Sequence, residues 1–264
     1  MRILRSFSVV SMALCLAFAS TAWAAERFPK APPGAGLPNP PAPASSTPNP
    51  LNLIYTPIQP CRAFGSAQIL INQTKTFKIS GPGSFALQGG PNAGCGIPAS
   101  AKAVSISLSV RSASTGNLAA FAQGTPRPGV NSASFVANET QTVGSIVALG
   151  ATGQISINVS KTATLYGDVT GYYEPQIEAL INVSGGIYAG SPRILSATHS
   201  STWTYVVTID RDVTYCAPRA QAYTFGNEAH AYAYNGDTIT VHVFNRDAGA
   251  PVLKNDYFYL TVTC

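Results

Sequence analysis

The chain has 264 residues, of which 45% are apolar and only 10% charged, with a formal net charge of +5. That charged fraction is under half the roughly 25% of an average soluble domain, and it excludes charge-driven disorder. Glu, Lys, Arg and Leu are scarce while Ser, Thr, Val, Tyr and Gly abound, which excludes a long helical protein and favours β structure.

The first 24 residues read as a secretory signal peptide. Arg2 and Arg5 supply the positive start, residues 9–19 an apolar stretch, and Ala22-Trp23-Ala24 a small-x-small site that places the cut before Ala25. The apolar stretch is too short to span a bilayer, and no other stretch approaches ~20 residues. Cys15 is preceded by Leu14 where a lipoprotein signal needs a small residue, which argues against lipidation. The expected destination is extracellular or the cell surface, with the periplasm as the other compatible compartment.

Loss of the leader lowers the charge from +5 to +3. No run of Lys or Arg remains, and counterion-release binding needs clustered cations, so nucleic acid is excluded as a partner. Residues 25–50 hold nine prolines between Pro29 and Pro50. Such a stretch cannot pack a core and is expected to extend as a polyproline spacer.

From residue 51 the pattern turns to period two. Residues 102–111 place Val104, Ile106, Leu108 and Val110 on one face and Ser105, Ser107 and Ser109 on the other, as a half-buried strand requires. Further strands are expected at 118–123, 133–138, 144–149, 154–159 and 164–173, separated by turns rich in Gly, Pro, Asn and Ser. Pro175 ends this series, and residues 175–179 are expected to form a turn. A second series is expected at 181–188, 193–198, 202–209, 220–225, 229–234, 238–244 and 257–264. Short strands at this spacing imply an all-β chain of two consecutive antiparallel sandwiches, jelly-roll or immunoglobulin-like, over residues 51–176 and 177–264.

Once Cys15 leaves with the leader, four cysteines remain: Cys61, Cys95, Cys216 and Cys264. An even number in an exported chain favours disulfides. Three pairings are available, and Cys61–Cys95 with Cys216–Cys264 keeps each bridge inside one sandwich. Cys264 shares strand parity with Phe258, Leu260 and Val262, which aims its thiol inward, towards Cys216.

An ordered set of short motifs spans residues 57–174: Pro60-Cys61-Arg62, Cys95-Gly96-Ile97-Pro98, Ala101-Lys102-Ala103-Val104, Gly116-Asn117-Leu118, Asn131-Ser132, and the closing Gly167-Asp168-Val169-Thr170-Gly171-Tyr172-Tyr173. On these residues the segment resembles a secreted bacterial β module that recurs in exported and cell-surface proteins. The resemblance implies an all-β exported domain with no assigned reaction. Members usually continue from Cys-Arg into Asp-Thr-Arg; here Ala63-Phe64-Gly65-Ser66 follows, so no role of those charges carries over. Residues 185–264 resemble a small C-terminal β domain of bacterial surface proteins, through residues 208–213 with Cys216 and residues 256–260 with Cys264.

Candidate chemistry is sparse. Asp210 and Asp212 share parity across Arg211, but the plainer reading is a turn in which aspartate caps backbone amides while Arg211 pairs outside. Glu139, Asp168 and Glu174 are the acids of the first sandwich, little material for acid–base work. His199, His230 and His242 lack tight ligand spacing, and no metal or cofactor is expected. The Asn-x-Ser/Thr triplets at Asn72, Asn138, Asn158 and Asn182 read as chance in so Ser/Thr-rich a chain.

Aromatic residues concentrate in the second sandwich, twelve in 88 residues against nine in 126. His230, Tyr232 and Tyr234 share one strand face, and Trp203 and Tyr205 another. Such a ladder suits sugar rings or a protein surface, although one face of each strand must also be core. The sequence therefore reads as a non-enzymatic exported structural or adhesion protein. Trp203, Tyr205, His230, Tyr232 and Tyr234 are its candidate contacts, and a glycan or cell-surface protein its candidate partner. A glycan-binding module and, more remotely, a secreted hydrolase are the alternatives. Low charge and exposed edges also suggest a homo-oligomer, such as a trimer.

Overall fold

A computed structural model describes residues 53–233, 236–245 and 251–264. The expected signal peptide and proline-rich spacer lie outside the described residues, as does Tyr234. The described chain is all-β and antiparallel, with no α-helix and one 3-10 turn at Ala86–Gln88. No helix among these residues is long and apolar enough to cross a membrane.

The first eight strands are β1 (Leu53–Ile69), β2 (Thr74–Lys78), β3 (Ala103–Arg111), β4 (Gly116–Ala122), β5 (Ala133–Phe135), β6 (Thr140–Ala148), β7 (Gln154–Val159) and β8 (Ala163–Pro175). They form two four-stranded sheets, ordered β1-β8-β3-β6 and β2-β7-β4-β5. Alternation in β3 buries Val104, Ile106, Leu108 and Val110 and turns its serines outward, so these four join the core that fills the space between the sheets. Phe64 and Phe77 stack in that core with ring centres 3.9 Å apart. The closing motif explains itself by close approach: a Cβ on Gly167 would sit 2.3 Å from the Phe64 ring, and one on Gly171 2.4 Å from Tyr55.

The remaining strands are β9 (Ile177–Ile181), β10 (Ile187–Gly190), β11 (Ile194–Ser201), β12 (Thr204–Ile209), β13 (Ala217–Ala222), β14 (Asn227–Ala233), β15 (Thr238–Asn245), β16 (Val252–Leu253) and β17 (Phe258–Thr263). One sheet runs β10-β9-β17-β13 and the other β11-β12-β15-β14, with β16 beside β15. A second apolar core lies between them, built on Tyr205, Ile239, Val241, Phe258 and Leu260. Both cores belong to one compact unit.

Three expectations are corrected here. Residues 175–179 are not a turn: β8 runs through Pro175, whose partner is Leu53 at the sheet edge, and β9 begins two residues later. Residues 181–188 are not one strand, because Asn182 breaks it. Its side-chain oxygen accepts from the Ser184 and Gly186 amides and so folds the segment into the β9–β10 turn. Period two does not begin at residue 51: in the long β1, Pro57, Pro60 and three register shifts against β8 destroy it.

Both disulfides form as Cys61–Cys95 and Cys216–Cys264. Phe258, Leu260 and Val262 point into the core, whereas Cys264 lies at the exposed strand end, where its bridge to Cys216 closes the β17–β13 pair.

Candidate binding face

The outward face of β12, β15 and β14 follows from alternation. Tyr205, Val207 and Ile209, then Ile239, Val241 and Val243, face the core with no exposure. Their neighbours in sequence must therefore face out. Register places His230 opposite His242, and Thr204 opposite His242 on the other side. Tyr232 lies opposite Thr240, and Glu228 opposite Phe244.

His242 is the hub. The Trp203 ring packs on it at 4.2 Å and Tyr232 at 5.5 Å, while His230 meets Phe244 edge-on at 5.0 Å. The Tyr232 hydroxyl lies 3.4 Å from His230 Nδ1, and His230 Nε2 lies 3.5 Å from Glu228. Desolvation, then the charge of His230, lowers the His242 pKa below the ordinary histidine value. A shallow groove of about 440 Å³ borders His230 and Tyr232, walled by Pro218, Arg219 and Ala220 of β13.

Trp203 owes its place to its backbone. It sits in the two-residue turn between β11 and β12 with φ at +74°, a left-handed value that a bulky side chain rarely adopts. Three contacts hold it there. The Trp203 amide donates to Asn255 Oδ1, the Trp203 carbonyl accepts from the Val243 amide, and Asn255 Oδ1 also lies 3.1 Å from His199 Nε2.

The structure thus brings Trp203, His230 and Tyr232 together but removes Tyr205 from the expected contacts. Tyr205 has 0% exposure, packs edge-on against Phe258, and donates its hydroxyl to the Val183 and Asp256 carbonyls. Burial pushes its phenol pKa up. The sequence grouped Trp203 with Tyr205 by parity, but the left-handed turn at Trp203 resets the alternation. His242 and Phe244 were missed as contacts, although their parity opposite Val241 and Val243 carried the signal. A second aromatic group was missed altogether. Tyr188, Tyr223, Tyr257 and Tyr259 lie with successive ring centres 5.9–6.3 Å apart around β17.

The acids have other work. Glu174, 4% exposed, accepts from Arg211 at 2.6 and 2.8 Å, from Ser100 at 3.1 Å, and pairs with Arg193 at 3.0 Å. Arg193, 3% exposed, also donates to both oxygens of Asp210 and to the Pro175 carbonyl. Asp212 caps the Thr214 amide, and the hydrogen bonds from Thr214 lower its pKa. Arg211 therefore pairs inward, across the junction of the two cores, and not outside as its turn suggested. Asp256 is buried and accepts from Thr224, Asn227 and its own neighbour Tyr257. Beside the first core Arg62 pairs with Asp168 and lies over the Tyr166 ring, so the first and last motifs of residues 57–174 meet on adjacent strands. Among the described residues no three His, Cys, Asp or Glu side chains converge as a metal would require.

No protein-family model matches the chain, and neither the curated proteins nor the solved structures compared with it gave a match.

Proposed function

We propose that this chain is an exported, non-enzymatic contact protein that adheres to uncharged glycan chains through the outward face of β12, β15 and β14. The observation that carries this reading is Trp203: a left-handed backbone, held by Asn255 and Val243, lays its indole on His242 beside Tyr232. Flat rings with wet polar edges suit the apolar faces and hydroxyls of sugars. Positive φ at a bulky residue is costly, and such strain gathers at binding sites. Two disulfides support an oxidising compartment outside the cytosol, in keeping with the leader-like first 24 residues. The carboxylates also favour a contact role, since Glu174, Asp210, Asp212 and Asp256 are each engaged in holding the fold.

The test is a retention screen of the purified chain on insoluble cell-wall and neutral polysaccharides and on whole cells. Trp203→Ala and Tyr232→Ala should each weaken retention at least about 30-fold, the loss expected of a hot-spot aromatic, while Tyr205→Phe leaves it intact. Wild-type protein retained on none of these surfaces, or retained equally by the two alanine variants, overturns the reading.

A further inference from the structure

The open edges of these sheets are managed unequally. The edge strand β1 carries Pro57, Pro60 and three register shifts, β2 carries Lys75 and Lys78, and β5 is only three residues long. These are the devices by which β proteins refuse edge-to-edge pairing. β6 has none of them. Its nine residues, TQTVGSIVA, pair with β3 in unbroken register from Ala103↔Ala148 to Arg111↔Thr140, with no charge, proline or bulge. Among the described residues β3 is its one ladder partner, so every second amide and carbonyl of β6 points away from the sheet. A groove of about 450 Å³ opens on the free side, lined by Val110, Ala133, Ser134, Gln141, Thr142 and Val143. Ile146 is 66% exposed on the outer face.

We propose that β6 is an interface between two copies of this chain, paired antiparallel about a two-fold axis that passes between their two Gly144 residues. The proposal is independent of the glycan reading. The choice of a second copy rests on self-complementarity. A two-fold axis perpendicular to the sheet keeps both core faces on one side only if residues of like parity oppose each other. Centring it on Gly144 satisfies that rule and uses all nine residues, setting Thr142 against Ile146 and Val143 against Ser145. No charge meets a charge along the seam. Gly144 itself opposes Gly144 of the second copy, and a Cβ built there meets nothing within 4 Å, so the axis is open to close backbone approach. The two four-stranded sheets become one of eight strands, and the seam is used up by two copies, so this contact closes as a dimer and not as a trimer.

The test uses the full chain in sedimentation velocity and on non-reducing gels. Directly opposed Cα atoms in an antiparallel ladder lie about 4.5–5.5 Å apart, inside the reach of a disulfide. Gly144→Cys should therefore cross-link into dimers on oxidation. Thr140→Cys, at the strand end and far from its own copy, should not. Gly144→Lys sets like charges directly opposite and should weaken the dimer at least about tenfold while leaving each copy folded, because the site has room for a side chain. A wild-type monomer at high micromolar concentration overturns the proposal. So does a dimer that Gly144→Lys leaves undiminished or that Gly144→Cys fails to cross-link, and so does a monomer that takes a foreign peptide strand on β6.

Discussion

Arg193 is the side chain whose loss should cost this fold most for its size. It is 3% exposed, its Nε and terminal nitrogens hold Asp210 at 3.1 Å and Glu174 at 3.0 Å, and it donates to the Pro175 carbonyl at 3.2 Å. Arg193→Met keeps the volume and removes every one of these bonds. Glu174, equally buried, is then left with Arg211 and Ser100, and Asp210 with Arg211 at 3.9 Å. Breaking a buried pair by removing one partner costs about 3–5 kcal/mol. That is a large fraction of the ~5–15 kcal/mol by which a folded domain is stable. Glu174→Leu should cost a similar amount, because Arg193 then keeps a single carboxylate. The double variant should cost less than the sum by at least about 1.5 kcal/mol, since two opposed charges leave together. Urea unfolding of the four proteins, followed by tryptophan fluorescence and circular dichroism, measures the cycle. Single costs below about 1 kcal/mol, or additivity within about 0.5 kcal/mol, would refute the argument that this network is a coupled buried unit.

Further outcomes follow from the bridges and the histidine hub. Replacing Cys61 and Cys95 together by Ala, or Cys216 and Cys264 together, opens loops with separations of 34 and 48 residues and should cost about 4 kcal/mol each by loop entropy, read as a fall in the urea midpoint. The lowered pKa of His242 means that the unfolded chain takes up its proton first. Stability should therefore fall as pH drops from about 6.5 through the interval below it, and His242→Gln should flatten that slope in unfolding measured across the range. A slope unchanged by His242→Gln would remove the desolvation account of that residue.

What the sequence made legible was what alternation controls. The Ser/aliphatic alternation at 102–111 gave β3 with its faces correctly assigned, and 154–159 gave β7 residue for residue. Parity with the buried Val241 and Val243 likewise carries the outward setting of His242. Alternation fails wherever a backbone irregularity shifts parity. Bulges hid β1, the Asn182 turn split a strand in two, and the left-handed Trp203 separated that residue from Tyr205, which sits in the core. Long-range pairing was beyond reach for another reason: nothing near Glu174 in sequence announces Arg193 or Arg211, and the ion network exists only once β11 and β12 have packed against the end of β8. The candidate face was half legible on the same grounds. Its strand residues followed from period two, while the ring that completes it came from a turn.

Leu53 opens β1 opposite Pro175, and Pro175 leads almost directly into β9. Tension applied between the start of β1 and the second core therefore grips both strands of the β1–β8 ladder at the same end rung. Such a load peels hydrogen bonds singly instead of shearing them in parallel, so the ladder yields at low force. Peeling stops at Cys61, whose covalent link to Cys95 carries the load past the remainder of β1. The slack released is the eight residues from Leu53 to Pro60, at most about 29 Å at full extension. Under such a load the segment is a short tether with a covalent stop: compliant at first, then stiff.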